Sequence, residues 1–592
     1  MQRTSYLSEE KLTAFEEVTE RIMRQTMEAL LFEGIVDVAK KDKRWSFTGK
    51  TAEGVGVEYT CEAEEKWSFG RVKIARNSIR REGKPVANLY LFLEEIIQNA
   101  LEGAYTASFI HELLETLAKD HQSRELQPDR IPEQDRHYEA LESHMTDGHP
   151  YHPSYKSRIG FSLADNYAYG PEFNQEVALH WVAVHERLVD VALSSGTSLN
   201  DVYKHHLSDE DRRKFEQIVE EKGCSDKRYV YLPVHPWQAE HHLPSVFVQQ
   251  LRDRDLVLLG TSSGSYRAQQ SIRTVAHRDN FDATYIKLAL SITNTSTSRI
   301  LAHHTTQNAP LISDWLNKIV QNDPLLRKKR VHILREVMGI SFRYDRLPSI
   351  QYRSAYGALG AIYRENVSTY LEEGEEAWPL NALLLTQKNG ESFIQAAIDR
   401  YGVEKWSDAL IRTVTLPIIH LLYAHEIALE SHGQNIILVV EKELPTRIIL
   451  KDLHDGVRYV PDKLLRPDWA PKLNPEPETH RKFNRYSFIQ TESVSEVRDY
   501  TYDAFFFICM TDLCWTLEKF GLSEADFWRK CAATIMSYQK EYPEYVDRFE
   551  MFDLFAEDAL IEEMTKRRIY GDSELYFRSA NNPLLRAREG LV

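Results

Sequence analysis

The sequence predicts a three-part α+β protein. Apolar residues recur at helical spacing over residues 8–34 and 88–117 and through most of the last third of the chain. Strand-like segments such as YVYLPVHPW, LVLLG and YIKLALSIT, rich in β-branched and aromatic residues, dominate the middle. No low-complexity linker separates these parts, so we expect regions 1–145, 146–345 and 346–592 to pack against one another.

Composition and charge exclude several classes of protein. The 592 residues are 42% hydrophobic and 27% charged, which is ordinary for a globular protein. The net charge of −16 argues against a general nucleic-acid-binding protein, which needs a basic surface, but local basic clusters still allow anionic small substrates. Five scattered cysteines argue against a disulfide framework or a zinc site. The start MQRTSYLSEEKL lacks the apolar core of a signal peptide, and the most apolar run, 504–515, is too short to cross a membrane. We therefore expect a cytoplasmic protein in which 504–515 is a buried helix.

A predicted β-hairpin in the last third of the chain follows a group of polar residues. The segment LPIIHLLYAHEIALE predicts a helix that ends at the following Ser-His-Gly. Strands at 436–440 and 447–451, with a turn at 441–445, then form the hairpin.

The two ends of this hairpin carry oxygen ligands. Since a hairpin folds back on itself, Asp452 after its second strand should lie near Asn435 before its first. An amide oxygen with one or two carboxylates suits Mg²⁺, which takes few protein ligands and shares the others with phosphates. The alternative is a structural turn in which Glu430 and His432 are paired locally, and spacing alone leaves both interpretations open.

Basic and hydroxyl side chains form three further clusters. The segment GHPYHPSYKSR places His149, His152 and Lys156 on a loop that its prolines stiffen, where they could bind a carboxylate or phosphate. The alternatives are a solvated surface turn and a metal site. QQSIRT, Lys287 on the next predicted strand and the turn TNTSTSR supply the donors that a polyphosphate needs. Taken alone, Lys287 would be an ordinary solvated strand residue.

Together and in this order, the segments GHPYHPSYKSRIGF, VHPWQ, AQQSIRT, KLALSITNTSTSR, ESHGQN and KDLHDG resemble the IucA/IucC family of siderophore synthetases, which work independently of non-ribosomal peptide synthetases. The resemblance covers residues 140–592, favours petrobactin- and staphyloferrin-type members, and extends to the C-terminal MTKRR. It implies a cupped-hand fold of thumb, fingers and palm (the three regions above), an ATP cleft between fingers and palm, and a homodimer.

The resemblance also implies an activity. Such enzymes use ATP and Mg²⁺ to adenylate a carboxylate of citrate, a citrate derivative or 2-oxoglutarate. They then pass the acyl group to an amine, here of the polyamine or diamine type, or to a hydroxyl. Residues at the family's nucleotide positions are Ser271, Arg273, Thr274, Lys287, Thr295 and Gln434. The Mg²⁺ positions are Glu430, Asn435 and Asp452. The carboxylate positions are His149, His152, Lys156, Arg299, His432 and Lys566, with the choice between the two first histidines open.

Three of these residues are predicted to be catalytic. Arg273 and Lys287 would stabilise charge that grows on the α-phosphate, and His432 would orient the substrate or assist the leaving group. Two other functions compete with this one. A kinase-like phosphotransferase would release ADP in place of AMP and pyrophosphate, and a non-catalytic citrate- or siderophore-binding protein would need neither ATP nor Mg²⁺.

Overall fold

The protein is described by a computed structural model over residues 9–86, 88–126, 131–132, 135–145, 147–224, 227–295, 297–482, 488–571 and 576–590. The predicted α+β class is confirmed, because helices and several separate sheets alternate along the chain. Within the described ranges, no helix has both the length and the apolar character that a membrane crossing requires. The homodimer and the region boundaries stay predictions.

The N-terminal region packs helices against a small antiparallel sheet. The predicted helix over 88–117 is interrupted: α2 continues into a π-helical segment (Glu94–Gln98), and α3 starts only at Thr106. At the break, a Cβ on Gly103 would lie 2.4 Å from the side chain of Ile569, so the chain passes too close to the C-terminal region for a continuous helix. The elements are α1 (Glu9–Phe32), β1 (Ala39–Lys41), β2 (Arg44–Lys50), β3 (Gly56–Glu65), β4 (Val72–Ile74), β5 (Arg80–Arg81), β6 (Lys84–Pro85), α2 (Leu89–Leu93), α3 (Thr106–Leu126) and α4 (Tyr138–His144).

The middle of the chain forms an antiparallel eight-stranded sheet. Its elements are α5 (Leu163–Tyr169), β7 (Val177–His185), β8 (Val189–Leu193), α6 (Leu199–Tyr203), α7 (Asp209–Glu221), β9 (Tyr229–Val234), α8 (Pro236–His241), α9 (Leu243–Val246), α10 (Val248–Arg252), β10 (Leu256–Ala268), β11 (Thr274–His277), β12 (Tyr285–Leu288), β13 (Thr293–Asn294), β14 (Thr297–Ser298), α11 (His303–Asn322), α12 (Pro324–Lys328), β15 (His332–Ile333), β16 (Glu336–Phe342), α13 (Ser349–Ala355) and β17 (Gly360–Arg364). The strand order is β8-β16-β17-β12-β11-β10-β7-β9. β11 and β12 therefore lie at the centre of the sheet, where Thr274 pairs with Lys287.

The C-terminal part is mainly helical around a second, four-stranded sheet. Its elements are β18 (Glu375–Pro379), α14 (Gln395–Tyr401), α15 (Val403–His425), β19 (Ile427–Leu429), β20 (Ile436–Glu441), β21 (Leu444–Leu450), β22 (Val457–Tyr459), α16 (Val494–Thr501), α17 (Thr511–Glu518), α18 (Glu524–Glu541), α19 (Val546–Met551), β23 (Asp558–Glu562), α20 (Met564–Tyr570), β24 (Phe577–Asn581) and α21 (Pro583–Glu589). The sheet order is β15-β21-β20-β18. The apolar run 504–515 is a buried helix, as predicted, and most of it is π-helical.

Two predicted boundaries near the hairpin are wrong. The helix does not reach residue 430, because Glu426 adopts a left-handed backbone with φ of 61° and ends α15 at His425. The hairpin turn has two residues, Lys442 and Glu443, both with positive φ, and not five. Pro445 consequently lies within β21, opposite Val440.

Two hydrophobic cores account for most of the packing. The larger one joins apolar residues of the N-terminal helices and small sheet to those of the C-terminal part. The second belongs to the eight-stranded sheet and its flanking helices. The middle sheet thus has its own core, and a smaller cluster of Ala276, Tyr285, Ile437, Val439 and Ile449 packs it against the C-terminal hairpin.

Candidate active site

A cavity of about 1320 Å³ lies where the centre of the eight-stranded sheet, the His-Pro loop and the end of the C-terminal hairpin meet. Side chains predicted from distant parts of the sequence line it together: His149, His152, Ser271, Arg273, Lys287, Thr295, Arg299, Glu430, His432, Gln434, Asn435 and Asp452. Three predicted residues do not line it, namely Lys156, Thr274 and Lys566. The basic group of the middle region and the acidic group of the hairpin therefore share one cavity.

The hairpin register brings the oxygen ligands together. Ile436 pairs with Leu450, and the Lys451 amide donates to the Asn435 carbonyl at 3.1 Å, so Asn435 and Asp452 flank the same end. Asn435 Nδ2 donates to the Glu430 carbonyl at 3.0 Å. This bond uses the amide nitrogen and leaves the Asn435 side-chain oxygen as an acceptor for a ligand.

The carboxylates at the end of the hairpin are crowded, and the crowding changes their ionisation. Burial, followed by repulsion from Asp455 and Asp452, raises the pKa of Glu430 to about 7. Burial acts in the same direction on Asp452, but the neighbouring Lys287, Arg364 and His454 outweigh it and hold the pKa of Asp452 well below its usual range. Asp452 is thus ionised at neutral pH, while Glu430 is poised to ionise when a cation arrives.

Two cations from neighbouring central strands reach Asp452. Lys287 Nζ on β12 lies 2.5 Å from Asp452 Oδ1 and 3.3 Å from His454 Nε2. Arg364 on the adjacent β17 lies 3.6 Å from the same carboxylate oxygen. Burial lowers the pKa of Lys287, and Asp452 acts in the opposite direction. The central strands thus present positive charge directly to the hairpin end.

The lining of the cavity also holds two buried arginines, Arg273 and Arg299, that form no direct ion pair with a carboxylate in the described part of the chain. Arg273 donates to the Ile300 carbonyl at 2.6 Å, and Arg299 donates to the Thr297 and Thr295 hydroxyls at 3.1 and 3.4 Å. Arg299 Nε has no hydrogen-bond partner among the described residues. Burial, then repulsion from Arg273, lowers the pKa of Arg299 to about 10. A buried cation without a counter-charge is costly, so this wall is suited to an anionic ligand.

Two histidines present neutral donors to the cavity. His149 Nδ1 accepts from the backbone amides of Tyr151 and His152, and His432 Nδ1 accepts from that of Gln434 at 3.2 Å. Burial is the main cause that lowers the pKa of His149 to about 3 and that of His432 to about 4. With Nδ1 accepting, the single proton of each neutral ring is on Nε2. His152 also lines the cavity, and its Nε2 lacks a partner in the described structure.

The three predicted residues outside the lining have other contacts. Lys156 Nζ lies 2.7 Å from Asp120 and 3.3 Å from Glu172, all three buried. The Thr274 amide donates to Ser271 Oγ at 3.1 Å and so holds that cavity-lining hydroxyl in place. Lys566 Nζ is 3.0 Å from Glu563. Their predicted ligand contacts stay predictions, and their present contacts are structural.

Several lining residues were missed by the sequence reasoning. His454 and Asp455 belong to the KDLHDG segment, so their position beside Asp452 in the sequence offered a signal. In the structure, His454 Nδ1 lies 2.9 Å from Glu336 and His454 Nε2 lies 3.1 Å from Asp455. An acidic patch from the C-terminal part also lines the cavity: Asp503, Asp512 and Glu562. Nothing in the sequence pattern marked this patch, because it sits within a buried apolar helix and a strand end.

Comparisons with known proteins identify the family of this chain. A family model described as the IucA / IucC family matches residues 137–385, and one described as a ferric iron reductase FhuF-like transporter matches residues 404–576. The citryl-spermidine/3,4-dihydroxybenzoyl-citryl-spermidine:spermidine ligase of Bacillus anthracis is 35% identical over 97% of this chain and 94% of its own. A Staphylococcus aureus synthase, named for a hydroxypropanoate product with a 2-aminoethylcarbamoyl group, is 37% identical over 97% of this chain and 93% of its own.

Solved structures match over nearly the whole chain. The petrobactin biosynthesis protein AsbB of Bacillus anthracis superposes with a TM-score of 0.90 at 34% identity, covering 98% of this chain and 97% of that one. Aerobactin synthetase IucC of Klebsiella pneumoniae shares the fold with a TM-score of 0.81 at 24% identity, over 98% of this chain and all of the other. The predicted synthetase fold is thereby confirmed. With full-length relatives above 30% identity, this chain belongs to the IucA/IucC family.

Proposed function

We propose that this protein is an ATP-dependent siderophore synthetase that adenylates a carboxylate of citrate or a citrate derivative and condenses it with an amine. The observation that carries the proposal is the separation of charge within one cavity. Arginines that form no direct ion pair with a described carboxylate line one part of the cavity, and crowded carboxylates line another. A nucleoside triphosphate with a divalent cation complements both walls at once.

The residues fit the nucleotide and its metal. Glu430, Asn435 and Asp452 would hold Mg²⁺, which supplies a counter-charge to the phosphates when bound. Lys287 and Arg273 would bind phosphate oxygens, and their charge would stabilise the transition state. Ser271 adds a hydroxyl to the same wall; it donates to Thr274 Oγ1 at 2.8 Å and accepts from the Thr274 amide, so its proton would turn away from Thr274 to bind a phosphate oxygen.

The proposed reaction has two steps, adenylation of the acid and transfer of the acyl group to the amine. A substrate carboxylate oxygen bonds to the α-phosphorus of ATP while the bond to the β-phosphate oxygen breaks, which releases pyrophosphate. The amine nitrogen then bonds to the acyl carbon, the carbon–oxygen bond to AMP breaks, and the nitrogen loses a proton. Arg299 with the neutral Nε2–H groups of His149 and His432 would orient the acid, mainly an entropic contribution.

The acidic patch of Asp503, Asp512 and Glu562 would receive the amine. Asp503 Oδ1 has no hydrogen-bond partner among the described residues, whereas Asp512 pairs with Arg71 at 3.4 Å through Oδ1 and has only Oδ2 without one. Burial, then repulsion from Glu562, raises the pKa of Asp503, which suits it to accept a proton from an ammonium group. Both full-length relatives carry names with amine-derived groups, which supports a polyamine or diamine as the nucleophile.

The decisive experiment measures products. Wild-type protein is incubated with ATP, Mg²⁺, citrate or citryl amides and a panel of diamines and polyamines, and nucleotide products are separated. We expect AMP and acid-dependent pyrophosphate, and a loss of about 10²–10³ in rate for Arg273→Ala. Arg278→Ala is the matched control, because Arg278 belongs to the same sheet region but does not line the cavity. ADP as product would favour a phosphotransferase, and acid binding without any nucleotide turnover would favour a binding protein.

A further inference from the structure

A second group of ligating side chains lies outside the cavity, where the α11–α12 junction meets the end of α15. Asp323 Oδ2 lies 2.9 Å from His420 Nε2 and 3.0 Å from His425 Nε2. Both histidines thus point the same type of nitrogen at one carboxylate oxygen. None of the three residues lines the cavity described above.

The surroundings hold two of the three side chains, Asp323 and His420, in an orientation suited to a metal. Asp323 Oδ1 accepts the Leu326 amide at 2.9 Å as the N-cap of α12, so Oδ2 remains for a second partner. His420 Nδ1 lies 2.7 Å from the Tyr538 hydroxyl. A hydrogen bond at the remote nitrogen is the usual support of a metal-binding histidine, since it holds the ring and its tautomer.

The three ligand atoms lie close enough together to share one ion. Two atoms each about 2.1 Å from an ion are about 3.4 Å apart in the tetrahedral geometry that Zn²⁺ prefers and about 3.0 Å apart at right angles. The two Asp323-to-histidine distances, 2.9 and 3.0 Å, are those of hydrogen bonds, so a tetrahedral ion would replace these bonds and open each pair by about 0.4 Å. Two imidazoles with one carboxylate form the donor set of many transition-metal sites and do not suit Mg²⁺.

We propose that Asp323, His420 and His425 form a binding site for one divalent transition-metal ion such as Zn²⁺. The three side chains are buried, with Asp323 and His425 exposed by only 9% and 7%, so the site is shielded but reachable. Bound metal would tie α15 to the α11–α12 junction. Because α15 leads through β19 to Glu430, the ion would fix the base of the segment that carries the acidic wall.

The test compares metal affinity in chelator-treated full-length protein, titrated with Zn²⁺ against a chromophoric competitor. Asp323→Asn is the sharpest variant, since asparagine can still cap α12 through its one side-chain oxygen, while its neutral amide nitrogen then faces the histidines and cannot bind a metal. We expect one tight equivalent in the wild type, affinity at least about tenfold weaker in Asp323→Asn, and its loss in His425→Gln. His206→Gln, which removes another buried histidine, should leave binding unchanged.

Co²⁺ gives a second readout, because a visible absorption band appears only when the ion has protein ligands. A wild-type band that Asp323→Asn abolishes would support the site, together with a Zn²⁺-induced rise in melting temperature that the variant lacks. The proposal is overturned if the wild type binds no Zn²⁺, or if the bound equivalent persists in Asp323→Asn and disappears in Asp452→Asn. The latter result would place the metal at the cavity, so failure here leaves the synthetase proposal untouched.

Discussion

Glu430 provides the most direct test of the acidic wall, because its proton competes with the metal. Its pKa of about 7, compared with the ordinary 4.5, follows from burial and then from Asp455 and Asp452. The difference of about 2.5 corresponds to about 3 kcal/mol that disfavours the empty, ionised site. The carboxylate is ionised in about one tenth of molecules at pH 6 and nine tenths at pH 8.

If Glu430 helps to hold Mg²⁺, apparent Mg²⁺ affinity should rise about tenfold between pH 6 and pH 8. The assay follows pyrophosphate release against free Mg²⁺ at fixed ATP, at pH 6, 7 and 8. ATP itself also gains a proton in this range, so the informative quantity is the ratio of wild type to Glu430→Gln, in which that effect cancels. We expect the ratio to change about tenfold. A constant ratio would refute a role for Glu430 ionisation in metal binding.

The raised pKa of Glu430 also affects folding stability: Mg²⁺ affinity should rise with pH, whereas the stability of the metal-free protein should fall. The folded protein keeps a proton on Glu430 that the unfolded chain releases between pH 4.5 and about 7, so this contribution to stability is lost as the pH rises through that window. In the absence of metal, Glu430→Gln should therefore melt higher than wild type at pH 8 and equally at pH 4.5. If Glu430→Gln melts lower than wild type at pH 8, the ionised carboxylate is stabilised by the protein's own groups without a bound metal ion.

Two further predictions separate substrate contacts from structural ones. Asp503→Asn should raise KM for the amine about tenfold and slow amide formation while acid-dependent ATP–pyrophosphate exchange continues, because only the second step uses the acidic patch; loss of exchange as well would contradict this assignment. Lys156→Met should destabilise the fold by about 1.5–3 kcal/mol, since it removes one cation from Asp120 and Glu172, which keep Arg124 and Arg158, and KM for the acid in the remaining folded enzyme should stay within about twofold. A raised KM with an unchanged melting temperature would instead place Lys156 against the substrate.

The sequence was informative where function depends on local order. A hairpin constrains its two ends, so Asn435 and Asp452 could be placed together from strand pattern alone. Motifs that carry chemistry on loops and strand ends, such as QQSIRT and Lys287, were also recognisable, and they do line one cavity. Each of these features is formed by a few residues that lie close together along the chain, so it can be recognised without knowledge of the fold.

Features that depend on distant packing were not predictable. The contact of Lys156 with Asp120 joins a loop to α3, and nothing local distinguishes this pair from a ligand-binding lysine. The end of α15 at Glu426 needed a left-handed backbone without the glycine that usually signals it. The acidic patch was hidden because Asp503 and Asp512 read as interruptions of an apolar helix, and only the fold turns them towards the cavity.

The buried charges of the cavity explain why the two walls cannot simply neutralise one another. Lys287 already reaches Asp452, yet Arg273 and Arg299 are held by carbonyl and hydroxyl groups on the middle sheet, away from the carboxylates. The sheet and the hairpin pack directly on each other through Ala276 and Tyr285 of the sheet and Ile437, Val439 and Ile449 of the hairpin, so closing the gap would require this packing to shift. Close packing resists such a shift, and the charge imbalance persists in the folded protein. A nucleotide with its metal ion can pair its phosphates with the arginines and its metal with the carboxylates, which the side chains cannot do with one another. This is the physical reason for expecting tight and metal-dependent nucleotide binding.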